Sequence, residues 1–301
     1  MITPPPLKHG DKIGIAAPAR KISKAKLQTA LDVFERWGLH VVFAENLFKS
    51  HHQYAGTDAE RIEGLQQLLD DESIRAIVCA RGGYGTVRIT DALDFAQFVK
   101  NPKWIAGYSD ITVLHSHLNR QLQTQTLHCT MPVNFPTNTP EAIESMRKAL
   151  FGETLRYQIA SHAFNRCGIA SGELVGGNLS VLYALSASPS EINTDGKILF
   201  LEDLEEYLYH IDRMMMQLKR SGKLENLAGM IVGAMNRMND NAIPFGKQAY
   251  DIVAEHAARY GFPLCFAFPA GHIDDNRALV LGRKVKLEIT DKTVVLSCPK
   301  K

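Results

Sequence analysis

Short apolar runs alternate with longer stretches of helical periodicity through the first half of the chain. Lys12-Ile13-Gly14-Ile15-Ala16-Ala17 is apolar at nearly every position and stops at Pro18, which predicts a strand buried on both faces. Apolar residues at helical spacing over 24–37, closed by Gly38, predict a helix, and Val41-Val42-Phe43 predicts the next strand. Thr57-Asp58-Ala59-Glu60 has capping-box spacing and opens a helix whose apolar face carries Ile62, Leu65, Leu68 and Leu69. Ala76-Ile77-Val78-Cys79 and Trp104-Ile105-Ala106-Gly107-Tyr108 predict two more buried strands. After the second, Ile111, Leu114 and Leu118 share one face of a helix over 110–118. This alternation predicts an α/β fold, a parallel sheet with helices on both faces and ligands at the carboxyl ends of its strands.

Over 132–167 the periodicity weakens and Pro132, Pro136 and Pro140 cluster, which predicts a loop and connecting region. Strands resume near 172–175, 197–201 and 230–232, with helices at roughly 178–185, 211–219 and 247–260. The segments 284–289 and 293–296 alternate cleanly around a short polar turn and predict a hairpin. The expected organisation is an N-terminal α/β domain over 1–135, a connecting region over 136–167 and a C-terminal α/β domain over 168–301.

Composition narrows the function classes. The 301 residues are 45% hydrophobic and 22% charged, with a net charge of +2, so no charge excess points to nucleic acid or an anionic membrane. The N-terminus, Met1-Ile2-Thr3-Pro4-Pro5-Pro6-Leu7-Lys8, lacks a signal-peptide pattern, and no apolar run is long enough to span a bilayer. Five widely spaced cysteines fit neither a disulfide framework nor a zinc site. The cytoplasm is the expected location.

The chemistry concentrates at the predicted strand ends. Ser109 sits where a buried strand turns into a helix, so its hydroxyl is either an exposed nucleophile beside helix-start amides or a plain N-cap. Arg81-Gly82-Gly83-Tyr84-Gly85-Thr86 follows another strand. It reads as a tight turn, a phosphate cradle lacking the P-loop lysine, or one half of an oxyanion hole whose other half is the Asp110 amide. His272 follows Phe266-Ala267-Phe268-Pro269-Ala270-Gly271 on a Pro/Gly turn, a place for a general base or for a solvated turn histidine. Glu202 follows the apolar run Lys197-Ile198-Leu199-Phe200-Leu201, where it either holds an imidazole or initiates a helix. His115 and His117 face different ways on one helix, and His128 reads as a core histidine. The order Ser…Glu…His is that of α/β-hydrolases, but Ile111 stands where the G-x-S-x-G elbow needs its second glycine.

These residues together resemble the LD-carboxypeptidases, a serine peptidase family. The similarity runs from Gly10-Asp11-Lys12-Ile13-Gly14-Ile15-Ala16-Ala17-Pro18 almost to the C-terminus. It includes Arg81-Gly82-Gly83-Tyr84-Gly85, Gly107-Tyr108-Ser109-Asp110-Ile111-Thr112, Gly176-Gly177-Asn178-Leu179, Glu202-Asp203, Tyr209, Ile211-Asp212-Arg213 and Gly271-His272. The resemblance implies a Ser109–His272–Glu202 triad and an N-terminal domain like class I glutamine amidotransferases. It also implies a smaller C-terminal α/β domain, a site between the two, and a homodimer. The implied reaction removes the terminal D-alanine from murein tetrapeptide in the bacterial cytoplasm, with no metal or cofactor. The amides of Asp110 and Gly83 (or Gly82) would bind the oxyanion, and Arg81 is the candidate for the substrate's free carboxylate. Two alternatives remain: a microcin-immunity peptidase of the same family, and a non-catalytic binding protein on this scaffold. A glutamine amidotransferase would need a cysteine where Ser109 stands.

Overall fold

A computed structural model describes residues 1–298. Among these residues β1 (Lys12–Ala16), β2 (His40–Phe43), β3 (Ile74–Cys79), β4 (Trp104–Gly107) and β5 (Thr126–His128) run parallel, in the order β2-β1-β3-β4-β5. Their side chains alternate between two covered faces, as a doubly buried sheet requires. Ile13, Ile15, Val78 and Ala106 enter one apolar cluster, while Ala16, Ile77, Cys79 and Ile105 enter another on the opposite face. The connections carry α1 (Gln28–Arg36), α2 (Asp58–Asp70), α3 (Ala96–Lys100) and α4 (Thr112–Gln121). Leu65 and Leu68 of α2, with Leu114 and Leu118 of α4, close the second face. The capping box that starts α2 is formed: the Glu60 amide donates to Thr57 Oγ1 at 3.3 Å, and the Thr57 amide to Glu60 Oε2 at 2.8 Å. The first helix is shorter than its periodicity predicts, because Lys24–Leu27 winds as a 3-10 turn.

The second sheet is mixed. β7 (Gly168–Asn178), β8 (Ile198–Leu204), β9 (Gly229–Asn236) and β10 (Leu264–Cys265) are parallel. β12 (Lys284–Ile289), β13 (Thr293–Ser297) and β6 (Arg156–Ala160) extend the sheet antiparallel from β7. β7 serves both halves, pairing with β12 through Gly168–Glu173 and with β8 through Leu174–Asn178. β12 and β13 form the expected hairpin. The helices α6 (Leu179–Ala184), α7 (Leu208–Arg220) and α8 (Ala249–Ala257) cover one face of the parallel part. Leu199, Leu201, Met230 and Val232 point into that cluster, whereas Leu174, Ile198 and Phe200 join the core that also holds Ile13 and Val78. The chain therefore folds as two α/β units that share one core. β11 (Leu279–Leu281) returns from the second half to pair antiparallel with β5.

The stretch 132–167 is more regular than the loop expected there. It contains α5 (Pro140–Leu150) as well as β6. Pro140 occupies the first turn of α5, where its missing N–H is harmless, and Thr139 Oγ1 accepts from the Ala142 amide at 3.2 Å. Pro140, one of the three prolines that pointed to a loop, starts a helix. The last three positions of the expected second domain lie outside the described residues. No helix among the described residues is long and apolar enough to cross a membrane.

Candidate active site

β4 ends at Gly107, and a 3-10 turn over Ser109–Ile111 leads into α4. Ser109 has φ +64°, left-handed backbone that costs an L-residue roughly 1–2 kcal/mol. Such strain persists only where the surrounding structure enforces it, and it clusters at functional sites. Tyr108 is the residue in the cap position, and no side chain there makes a capping bond, so the Ser109 hydroxyl is not the cap its sequence context allowed.

The glycine loop after β3 meets this corner. A Cβ on Gly82 would lie 2.9 Å from Ser109 Cβ, 3.1 Å from its Oγ and 3.4 Å from the Asp110 amide nitrogen. Gly83, one peptide further on, carries the stem of Arg20 against it instead. The buried Asp110 carboxylate locks loop and turn together, since its Oδ2 accepts from the Thr86 amide at 2.9 Å and from Thr86 Oγ1 at 2.7 Å. Burial pushes the Asp110 carboxyl above its usual range, against the pull of those bonds. Gly82→Ala is expected to lower kcat about 10²-fold, because its methyl displaces Ser109, while the far-UV spectrum stays native. Steady-state kinetics with circular dichroism check both halves.

Glu202 lies inside β8 rather than after it as the sequence pattern suggested, because the strand continues to Leu204. It pairs in register with Asn178 of β7, while the pairing of β8 with β9 slips between Leu201 and Asp203. That irregularity falls at Glu202, and bulges of this kind re-aim a side chain beside a site. The carboxylate is fully buried, and its Oε2 lies 2.6 Å from His272 Nδ1. Gly271 makes this approach feasible: with φ +111°, a Cβ there would sit 2.7 Å from Glu202 Oε2. Burial pushes the Glu202 carboxyl up, but the adjacent His272 outweighs it and the net displacement is downward. For His272 burial pushes down, and Glu202 outweighs that, leaving the imidazole above its ordinary value. With Nδ1 committed to the carboxylate, Nε2 is the nitrogen free to meet a hydroxyl. The ring of His272 lies 4.7 Å, centroid to centroid, from that of Tyr108, the residue preceding Ser109. No hydrogen bond joins Ser109 Oγ to His272, whose ring bonds to Glu202.

Asp203 faces away from this pair. It accepts from Asn178 Nδ2 and from the Ser180 amide, both at 2.9 Å, and so ties β8 to the start of α6. Burial and then the Glu202 charge push its carboxyl up to about 7.

Arg81 is half-buried at the end of β3, where its Nη1 donates to the Lys21 carbonyl at 3.0 Å and its Nε has no partner. His128 is fully buried, with its ring centroid 4.9 Å from that of Phe200 and neither nitrogen hydrogen-bonded. Burial pushes it down to about 4, so it is neutral beside the Glu202 carboxylate at pH 7. Two supports escaped the sequence reading. Asn236 Nδ2 donates to the His272 carbonyl at 2.8 Å, and Asn276 Oδ1 accepts from the Gly271 amide at 2.8 Å. The position of Asn236 after the apolar run of β9 was the available signal; Asn276 had none.

The chain is similar over nearly its whole length to known proteins. The family model for the LD-carboxypeptidase N-terminal domain matches residues 13–129, and that for the LD-carboxypeptidase C-terminal domain matches residues 171–287. The probable murein peptide carboxypeptidase of Bacillus subtilis is 36% identical, covering 97% of this chain and 93% of its own length. The crystal structure of muramoyltetrapeptide carboxypeptidase from Oxalobacter formigenes has a TM-score of 0.86 at 24% identity, covering 96% of this chain and 99% of that one. The microcin C7 self-immunity protein MccF of Escherichia coli is 23% identical over 97% of this chain and 94% of its own length. A structure of MccF has a TM-score of 0.87, covering 98% of both chains.

Proposed function

Because the chain belongs to the LD-carboxypeptidase family, we propose that it is a serine carboxypeptidase that releases the terminal D-alanine of murein tetrapeptide. The bond cut joins an L-centre to a D-residue. The observation that carries this proposal is the strained Ser109, whose neighbour Tyr108 lies with its ring 4.7 Å from that of His272 in the buried Glu202–His272 pair. His272 Nε2 takes the Ser109 proton as Oγ attacks the scissile carbonyl, and Glu202 holds the imidazole and stabilises its charged form. The tetrahedral oxyanion is received by the amides of Asp110 and Gly83, the latter on the loop that Gly82 presses against Ser109. Protonated His272 then gives its proton to the leaving D-alanine amine, and water hydrolyses the acyl-enzyme by the same route. Arg81 is assigned to the free carboxylate that distinguishes a carboxypeptidase substrate. The name borne by the Bacillus subtilis relative supports murein peptide as the substrate class.

Incubation with purified murein tetrapeptides is expected to release free D-alanine, and Ser109→Ala is expected to release none. No release from any tetrapeptide, or equal release by the variant, defeats the proposal.

A further inference from the structure

In the first sheet the chain passes from β1 to β2 on one side and then crosses to β3 on the other, so the strand order reverses between β1 and β3. In open α/β sheets, the crevice outside the carboxyl ends of the strands at such a reversal is where ligands bind. A crevice of about 670 Å³ lies here, open to solvent and bordered by the loops that follow β1, β2 and β3. Its lining carries five cationic side chains, Lys21, Lys24, Lys26, Lys49 and Arg81, and no acidic residue among the described residues. Ile22 and Phe48 give it an apolar wall. Lys49 is offset by Glu60, 3.1 Å away, and Lys21 Nζ donates to Ser50 Oγ at 3.1 Å. Arg81 directs one nitrogen to the Lys21 carbonyl and keeps a buried Nε without a partner. Burial, and then the charge of Arg20, hold the Arg81 guanidinium below the usual arginine range, as expected where cations crowd without a nearby carboxylate. One residue beyond Arg81, Gly82 touches Ser109, so the crevice adjoins the nucleophile.

We propose that this crevice is an anion subsite, taking a carboxylate or phosphate group carried on a small, partly apolar ligand. Against the five cations of the lining stands one acid, Glu60, which pairs with Lys49. Two sources offer that chemistry: a second anionic group on the peptide substrate, and a free anion acting on the enzyme. The assignment to substrate rests on the peptidase proposal; the anion subsite does not.

Inorganic pyrophosphate is the probe, titrated calorimetrically into the full chain at low salt. Binding is expected, weakening steeply between 20 and 200 mM salt, a range chosen to span strong and weak screening. The double variant Lys24→Glu/Lys26→Glu changes the crevice charge by four and is expected to weaken pyrophosphate at least tenfold. Both side chains are exposed, and an unchanged thermal midpoint would show that the variant folds. Ser109→Ala should bind pyrophosphate like the parent, so a failed peptidase assay leaves this test standing. Competition between pyrophosphate and tetrapeptide, with KM raised and kcat unchanged in the double variant, identifies the substrate as the source. Binding without competition identifies the free anion. Absence of binding, or equal binding by parent and double variant, overturns the subsite.

Discussion

Replacing Ser109 by glycine is expected to abolish turnover and leave the protein at least as stable as the parent. Loss of the proposed nucleophile should lower kcat by about 10⁴- to 10⁶-fold, the scale seen when one member of a serine triad is removed. Stability moves the other way because Ser109 sits at φ +64°, where a Cβ costs roughly 1–2 kcal/mol and glycine none. Part of that gain is offset by the greater freedom of glycine in the unfolded chain, leaving about 0.5–1 kcal/mol. For a chain of this size, that is a rise in Tm of roughly 1–2 °C. Ser109→Ala keeps the Cβ strain and should leave Tm near the parent value. A helix cap gives the opposite ordering: alanine would cost about 1 kcal/mol and glycine only a few tenths. Calorimetry on the three proteins, beside D-alanine release, separates the two roles. A glycine variant that melts well below the parent, or an active alanine variant, contradicts a strained nucleophile.

The first half of the fold was legible because its strands are short and uniformly apolar and its helices carry their own punctuation, such as the Thr57–Glu60 box. The region after Pro132 was not, because Pro140 is the same residue whether it breaks a helix or starts one, and Thr139 before it is the only local sign. Glu202 was identified but placed outside its strand. Charged residues rarely continue a buried strand, and this one does so where the pairing of β8 with β9 is irregular. Ser109 was visible as a corner residue, but whether its hydroxyl capped the helix depended on a backbone angle that no spacing encodes. The anion crevice was hidden for a related reason. Its lysines come from loops after two different strands, and only the crossing of β1 by the β2–β3 connection brings them beside Arg81.

Substituting glutamine for Glu202 should both slow the enzyme and move its acid limb to lower pH. In the parent, Glu202 holds the His272 imidazole above its ordinary value of 6.5 despite burial, so kcat/KM should rise with pH through a midpoint above 6.5 as His272 loses its proton. Glutamine removes that charge and leaves Asp203 as the remaining acid opposing burial, so the midpoint moves to lower pH. It also presents an amide that can stabilise the wrong tautomer, so the plateau rate should fall about 10³- to 10⁴-fold. Stability follows the same pair. The raised His272 contributes stabilisation that is complete below 6.5 and fades as pH rises through its folded value. The lowered Glu202 contributes stabilisation that is complete above its ordinary 4.5 and fades as pH falls through its folded value. Between about 4.5 and 6.5 both are fully present, and there the variant should be most destabilised relative to the parent. Above the folded value of His272 the parent is left with a buried carboxylate beside a neutral ring, so the difference should shrink or reverse by pH 9. Urea unfolding of both proteins at pH 5.5 and 9, with pH–rate profiles from 5 to 9, measures each part. An acid limb that stays in place in Glu202→Gln, or a stability difference independent of pH, would show that the 2.6 Å contact does not tune His272.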